Sequence, residues 1–225
     1  MSARPARPHS LLRTHRYAML FFSLLLTVAI GPLLETLRFG RPAMEAFLAI
    51  NLLAAVFPIV ALAERRVLYA LIGVALVLRW VTTGGYESPL VAVVAALGWG
   101  LIALVAAWRA IRYSLSSLRI DAERIYAALS AYLLIGVCWG VIYAAVARIQ
   151  PGALLSGGVV PPEGIAMGDA IYFSFVTLAT LGYGDVVPAT PAVRGLAVFE
   201  AVIGQLYLAL LVARLVGLQT AAHSR

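Results

Sequence analysis

Between two long apolar runs lies Phe173-Ser174-Phe175-Val176-Thr177-Leu178-Ala179-Thr180-Leu181-Gly182-Tyr183-Gly184-Asp185. These residue types at this spacing suit the holding of a dehydrated cation by backbone oxygen. Inside a membrane such a cation needs oxygens at close range in place of its water shell. They must come from irregular backbone, which is otherwise forbidden at that depth. Consecutive carbonyls point at one axis only where the backbone alternates in handedness, and glycine enters left-handed conformations at little steric cost. Gly182 and Gly184, two apart, permit that alternation. Thr180 adds a hydroxyl oxygen at the inner end. Leu181 and Tyr183 are expected to point outward and brace the carbonyls against the preceding helix. Asp185 falls just beyond the last carbonyl, at a mouth where a carboxylate raises the local cation concentration.

The run Thr180-Leu181-Gly182-Tyr183-Gly184-Asp185 resembles the filter motif of tetrameric potassium channels. The resemblance covers roughly Asp121 to Leu218. It implies a pore domain of outer helix, re-entrant pore helix, filter and inner helix, with four copies around one axis. It further implies K+ as the permeant ion, held at Thr180, Leu181, Gly182 and Tyr183 with Gly184 closing the filter, and no cofactor. Two positions depart from the family pattern. Leu181 stands where a β-branched residue is usual, a conservative change because the carbonyl does the coordinating. Tyr172 and Phe173 stand where many relatives carry a tryptophan; Tyr172 can donate to Asp185, whereas Phe173 has no donor. With Thr177, these two are the expected filter supports. Gly204, twenty residues after Gly184, matches the hinge glycine of the family's inner helix and is the candidate gating hinge. Close helix packing explains the same glycine equally well.

Composition agrees with a membrane setting. The 225 residues are 63% hydrophobic and 12% charged, with a mean hydropathy of +0.96, too apolar for a soluble domain. All 17 basic residues are arginine, against ten acids, for a net charge of +7. They stand at the ends of apolar runs rather than in a cluster, which favours membrane anchoring over nucleic-acid binding. Cys138, the lone cysteine, lies in an apolar run and reads as a small buried hydrophobe. His9, His15 and His223 sit in the terminal tails, so no histidine-based metal site or proton relay is expected.

Residues 1–16 form a basic tail expected to be cytoplasmic, and the run from Tyr17 to Leu34 reads as an uncleaved first span rather than a signal peptide. Further runs are Ala43–Ala63, Val67 to about Val81, Pro89–Trp108, Ile125–Ala147 and Pro191 to about Leu218, each near the ~20 residues that cross a bilayer. The expected fold is therefore an all-α membrane protein of six transmembrane helices, with a re-entrant pore helix and filter between the fifth and sixth, assembled as a homotetramer because one filter motif cannot surround an ion. Residues 17–108 form a four-helix domain, 109–124 an amphipathic interfacial linker, 125–218 the pore domain and 219–225 a short cytoplasmic tail. The loop from Arg148 to Met167 is rich in glycine and proline and holds no span. Asp121 is placed to cap the fifth helix, Asp169 the pore helix and Thr190 the sixth. With the amino tail inside, twelve of the seventeen arginines fall on the inner side, which puts both termini in the cytoplasm and Asp185 outside. The expected location is a bacterial inner membrane.

A voltage sensor needs arginines at every third position within the field. Pro89–Trp108 has none, and Arg109 and Arg112 lie at its inner boundary. Arg79, in the outer part of the third run, is expected to pair with Glu87 or reach the interface. Glu200 lies well inside the sixth run, where an ionised carboxylate is costly unless partnered. A bond to Ser174 or Thr177, a cavity-facing position and protonation are all open. No nucleophile and base, metal cluster or phosphate loop suggests an enzyme. The rivals to a potassium-selective channel are a weakly selective cation channel, a non-conducting sensory or regulatory protein that keeps the pore fold, and a transporter subunit. Expected partners are further copies of the chain, membrane lipids and K+, not nucleic acid.

Overall fold

The computed structural model describes residues 15–35, 89–117, 121–162 and 164–223, with isolated helical positions at 50 and 73. Apart from those two positions, the second and third apolar runs, Arg79, Glu87 and residues 1–14 lie outside the described residues. The elements are α1 (Arg16–Glu35), α2 (Pro89–Leu115), α3 (Ala122–Ile149), β1 (Leu154–Ser156), α4 (Met167–Leu178), β2 (Val186–Pro188) and α5 (Pro191–His223). Among the described residues, three stretches are long and apolar enough to cross a membrane: Val93–Leu115, Ala122–Ile149 and Pro191–Ala221. α4, at 12 residues, is too short to span and fits a re-entrant segment.

α3 is the centre of the chain. It packs along α2 most extensively, then against α4 and α1. Alanines make this possible: Ala103, Ala106, Ala107 and Ala110 of α2 meet Ala127 and Ala131 of α3 in one core with Tyr17, Leu20 and Leu24 of α1. Small side chains let helix backbones approach closely where lipid tails remove the usual hydrophobic drive. Polar bonds fix the ends. Asp121 adopts an extended conformation and its Oδ1 accepts from Arg124 N at 2.9 Å, which starts α3. Glu123 Oε2 accepts from Tyr17 N at 3.0 Å, placing a carboxylate at the positive end of α1. At the opposite end of the chain, Arg214 of α5 donates through Nη2 to the carbonyls of Leu115 at 3.0 Å and Ser117 at 3.1 Å. It thereby ties α5 to the carbonyl end of α2 and to the turn that follows it.

Several boundaries differ from the sequence reading. Residues 109–115 continue α2 without a break, so the interfacial linker does not start as a separate helix at 109; nothing from Trp108 to Leu115 interrupts a helix. Asp169 lies in the first turn of α4, where it favours the helix dipole, while the cap position is Ala166, with no side-chain bond. α5 runs on to His223 through residues read as a tail. Thr190 does sit at its start, accepting from Val193 N at 3.4 Å. The glycine- and proline-rich loop holds a feature too short for sequence periodicity to reveal. β1 pairs antiparallel with β2, Leu154 opposite Pro188 and Ser156 opposite Val186.

Two glycines set the distance between α3 and α4. A Cβ on Gly140 would lie 2.6 Å from Ile171 Cα, and one on Gly136 would lie 2.6 Å from the Phe175 ring. The Gly140 contact is with backbone and cannot swing away. Gly140→Ala should therefore cost about 1–3 kcal/mol of stability by overpacking. The check is a thermal melt of the detergent-purified protein, and an unchanged midpoint would contradict this close approach.

Candidate ion-coordinating site

The last turn of α4 leads straight into residues 180–184. Ala179 N donates to Phe175 O and Thr180 N to Thr177 O, both at 3.0 Å, and Leu181 N and Gly182 N both reach back to Val176 O, at 2.8 and 3.4 Å. The N–H groups of residues 179–182 are thus tied to the helix. Among the described residues no backbone N–H reaches the carbonyls of 180–184; the next one along, Asp185 O, accepts from Gly157 N at 2.8 Å. Carbonyls left without a donor are free to face an ion.

The backbone alternates in this stretch. Thr180, Gly182 and Gly184 have φ of 57°, 62° and 80°, while Leu181 and Tyr183 between them do not enter the positive region. Among the described residues Thr180 is the one non-glycine with positive φ. A β-branched residue there is a genuine strain, of the kind that persists only where the surroundings impose it. Nothing lies within 4 Å of the Cβ position of Gly182 or Gly184, so these glycines answer a conformational need rather than a lack of room.

Supports converge on this loop from α4 and α5. Tyr172 donates its hydroxyl to Asp185 Oδ2 at 2.7 Å, and Val186 N donates to Oδ1 at 3.0 Å. The Tyr172 bond, more than any other influence, holds the Asp185 carboxyl below its ordinary value of 3.8, and the Val186 N–H acts in the same direction. β2 follows at once and is pinned to the loop by β1. Phe173 is buried and packs edge-to-face on Tyr143 of α3 with ring centroids 4.8 Å apart, so it serves as a wedge without a hydrogen bond. Thr177 is half-buried. Gly204 lies against Leu178 at the end of α4: a Cβ there would collide with the Leu178 carbonyl oxygen and approach Cδ1 to 2.9 Å. α5 passes through this point as an unbroken helix. Leu181 and Tyr183 are more than half exposed, so a single chain does not supply the packing expected of them.

Glu200 is wholly buried, with Tyr143 Oη 2.7 Å from Oε2 and Ser174 Oγ 2.5 Å from Oε1. Of the expected partners the structure provides Ser174. Tyr143 was not singled out in the sequence, yet Gly136, Gly140 and Tyr143 recur at i, i+4 and i+7 and form one face of α3, a pattern open to inspection. Gln205, whose Nε2 donates to Thr180 Oγ1 at 3.4 Å, had no such signal. Among the described residues no group of histidine, cysteine and carboxylate side chains gathers for metal binding.

The Tyr172 bond favours the ionised form of Asp185. Its contribution is therefore present above pH about 4 and is lost as pH falls through the lowered value. Tyr172→Phe should remove this restraint at every pH and raise the Asp185 titration back toward its ordinary value. It should also speed the decay of any cation current under sustained voltage, as read by recording the current time course from pH 7 downward. An unaltered decay would show that the bond does not brace the loop.

Residues 128–220 match the model of the ion channel family. A stretch of 76 residues is 43% identical to the two pore potassium channel c of Oryza sativa subsp. japonica, covering 34% of this chain and 14% of that protein. The chain thus spans about a seventh of the length of the curated relative it matches. No solved structure matches.

Proposed function

We propose, from the premise that residues 128–220 belong to the ion channel family, that this protein is a potassium-selective channel passing K+ down its electrochemical gradient. The observation that carries this reading is the left-handed backbone at alternate residues Thr180, Gly182 and Gly184, which leaves a row of carbonyls without N–H donors. In that row each K+ exchanges its water shell for the carbonyl oxygens of Thr180, Leu181, Gly182 and Tyr183, with the Thr180 hydroxyl at the inner end. α4 ends at the filter, so the negative end of its dipole favours a cation there. Asp185, held ionised by Tyr172, stands at the outer mouth and concentrates cations.

One chain supplies one row of carbonyls, so the functional unit is a homotetramer closed around the filter axis. The burial of the helices supports this. α3 is more than half buried within its own chain, whereas only about a tenth of α5 is buried, with Val198, Val202, Leu206 and Leu210 exposed. A pore-lining helix touching neighbouring subunits would present such a surface. The full topology in this reading has six spans, both termini cytoplasmic and the filter mouth outside, in a bacterial inner membrane. No arginine lies among residues 89–108 and the two on α2, Arg109 and Arg112, stand only in its last two turns, so gating does not use an arginine ladder through that helix. The chemistry is passive flux, not catalysis.

The experiment is a current–voltage measurement on purified protein in liposomes, with potassium on one side and sodium on the other. The expected reversal lies near the potassium equilibrium potential. Gly182→Ala and Gly184→Ala should each abolish that selectivity, because a left-handed alanine costs about 1–2 kcal/mol per residue and four subunits share the filter. Reversal near zero would leave a weakly selective pore, and silence across lipids would favour a non-conducting membrane protein.

A further inference from the structure

Three helices meet on the carboxyl group of Glu200. From α3, the Tyr143 hydroxyl donates to Oε2 at 2.7 Å. From α4, Ser174 Oγ lies 2.5 Å from Oε1, and the same oxygen lies 2.7 Å from the Gly136 carbonyl oxygen of α3. All four residues are buried within a single chain, so no neighbouring subunit is needed to close the cluster.

Counting protons across these contacts fixes the state of the acid. A serine hydroxyl carries one proton and two lone pairs, a carbonyl oxygen carries none, and an ionised carboxylate only accepts. With Glu200 ionised, Ser174 would face two acceptors with one proton. One of its two short oxygen–oxygen contacts would then be empty and repulsive, in a place water does not reach. With Glu200 neutral the count closes. Oε1–H donates to Ser174 Oγ, Ser174 donates to the Gly136 carbonyl, and Tyr143 donates to Oε2, so three contacts hold three protons.

The surroundings offer no other source of balance. The titratable groups facing Glu200 are Tyr143, Tyr132 and Cys138, all on α3. Each is uncharged near neutral pH in its ordinary state. α4 contributes Ser174 alone to the cluster. Among the described residues no arginine pairs with Glu200. A carboxylate in a membrane interior without a cation is a costly species, and a neutral acid is not.

We propose that Glu200 is kept as the neutral carboxylic acid and acts as a positioning residue. It is a two-sided bridge that donates to the pore helix and accepts from the outer helix, fixing α4, and with it residues 180–184, between α3 and α5. The assignment of what is positioned rests on the channel reading above, whereas the protonation rests on the cluster alone. Loss of the proton at alkaline pH would turn Oε1 from donor to acceptor and leave Ser174 with two acceptors again, releasing the Gly136 link.

The test joins infrared spectroscopy to conduction in the same proteoliposomes. At about pH 6, where an ordinary glutamate is ionised, the wild type minus Glu200→Gln difference spectrum should show the carbonyl stretch of a protonated carboxyl, and Ser174→Ala should shift that band. Its absence would overturn the neutral acid. Glutamine can donate through its amide to Ser174 and accept from Tyr143, so Glu200→Gln should fold, conduct like the wild type and resist alkaline pH. Glu200→Leu should conduct about tenfold less, as expected when a buried hydrogen-bond bridge is removed. Failure of Glu200→Gln to fold, or equal conduction by the leucine and glutamine variants, would overturn the bridge. A silent wild type with the infrared band in place would instead sink the channel reading and leave the neutral acid standing.

Discussion

Backbone carbonyls without N–H partners are the least tolerable groups a membrane protein can carry, and residues 180–184 present a row of them. The rest of the chain can be understood as the framework that makes such a row permissible. The N–H groups of Thr180, Leu181 and Gly182 are drawn off into the end of α4, so they do not pair with carbonyls of the row. Its exit is held by Asp185, which accepts from Tyr172 and Val186 and lends its own carbonyl to Gly157. The strained Thr180 is kept in the left-handed region because both sides of it are fixed.

Rigidity reaches this segment by two physically different routes. One is steric: Gly136, Gly140 and Gly204 remove side chains where α4 presses on α3 and α5, so the short helix is gripped through backbone and large neighbours. The other is polar, through the buried bonds among Gly136, Tyr143, Ser174 and Glu200. Packing sets distance, and the directional bonds set the rotation of α4 about its axis, which decides where the loop beyond it points. Gly204 combines two readings in this light. Its contact with Leu178 makes it a packing glycine in this conformation, and bending of α5 at the same point would release the grip on α4.

Much of this was legible in the residues. The filter motif, the apolar runs at α1, α2, α3 and α5, the turn-rich outer loop, Asp121 at its cap and the intramembrane position of Glu200 all follow from local composition and spacing. Where the reading of residues and the structure part, the reason is non-local. The linker is expected to begin at 109 because Arg109 closes the apolar run, but the helix continues to Leu115, where Tyr113 stacks on Tyr17 and its carbonyl accepts from Arg124. β1 and β2 are three residues each and exist through their pairing, which periodicity cannot register.

By itself the sequence determined the class of chemistry. Backbone oxygen at membrane depth requires glycine at alternate positions after a short apolar helix, and that requirement is local and therefore written in order along the chain. Only the tertiary structure decided which side chains answer one another across the fold. Tyr143 and Glu200 are 57 residues apart, and Gly136 and Ser174 are 38 apart. Their meeting depends on how closely three helices approach and on the rotation of each, quantities set by packing rather than by neighbours in sequence. The same holds for Tyr172 and Asp185: each residue type could be named in advance, but the 2.7 Å bond exists because the loop between them folds back over the end of its own helix.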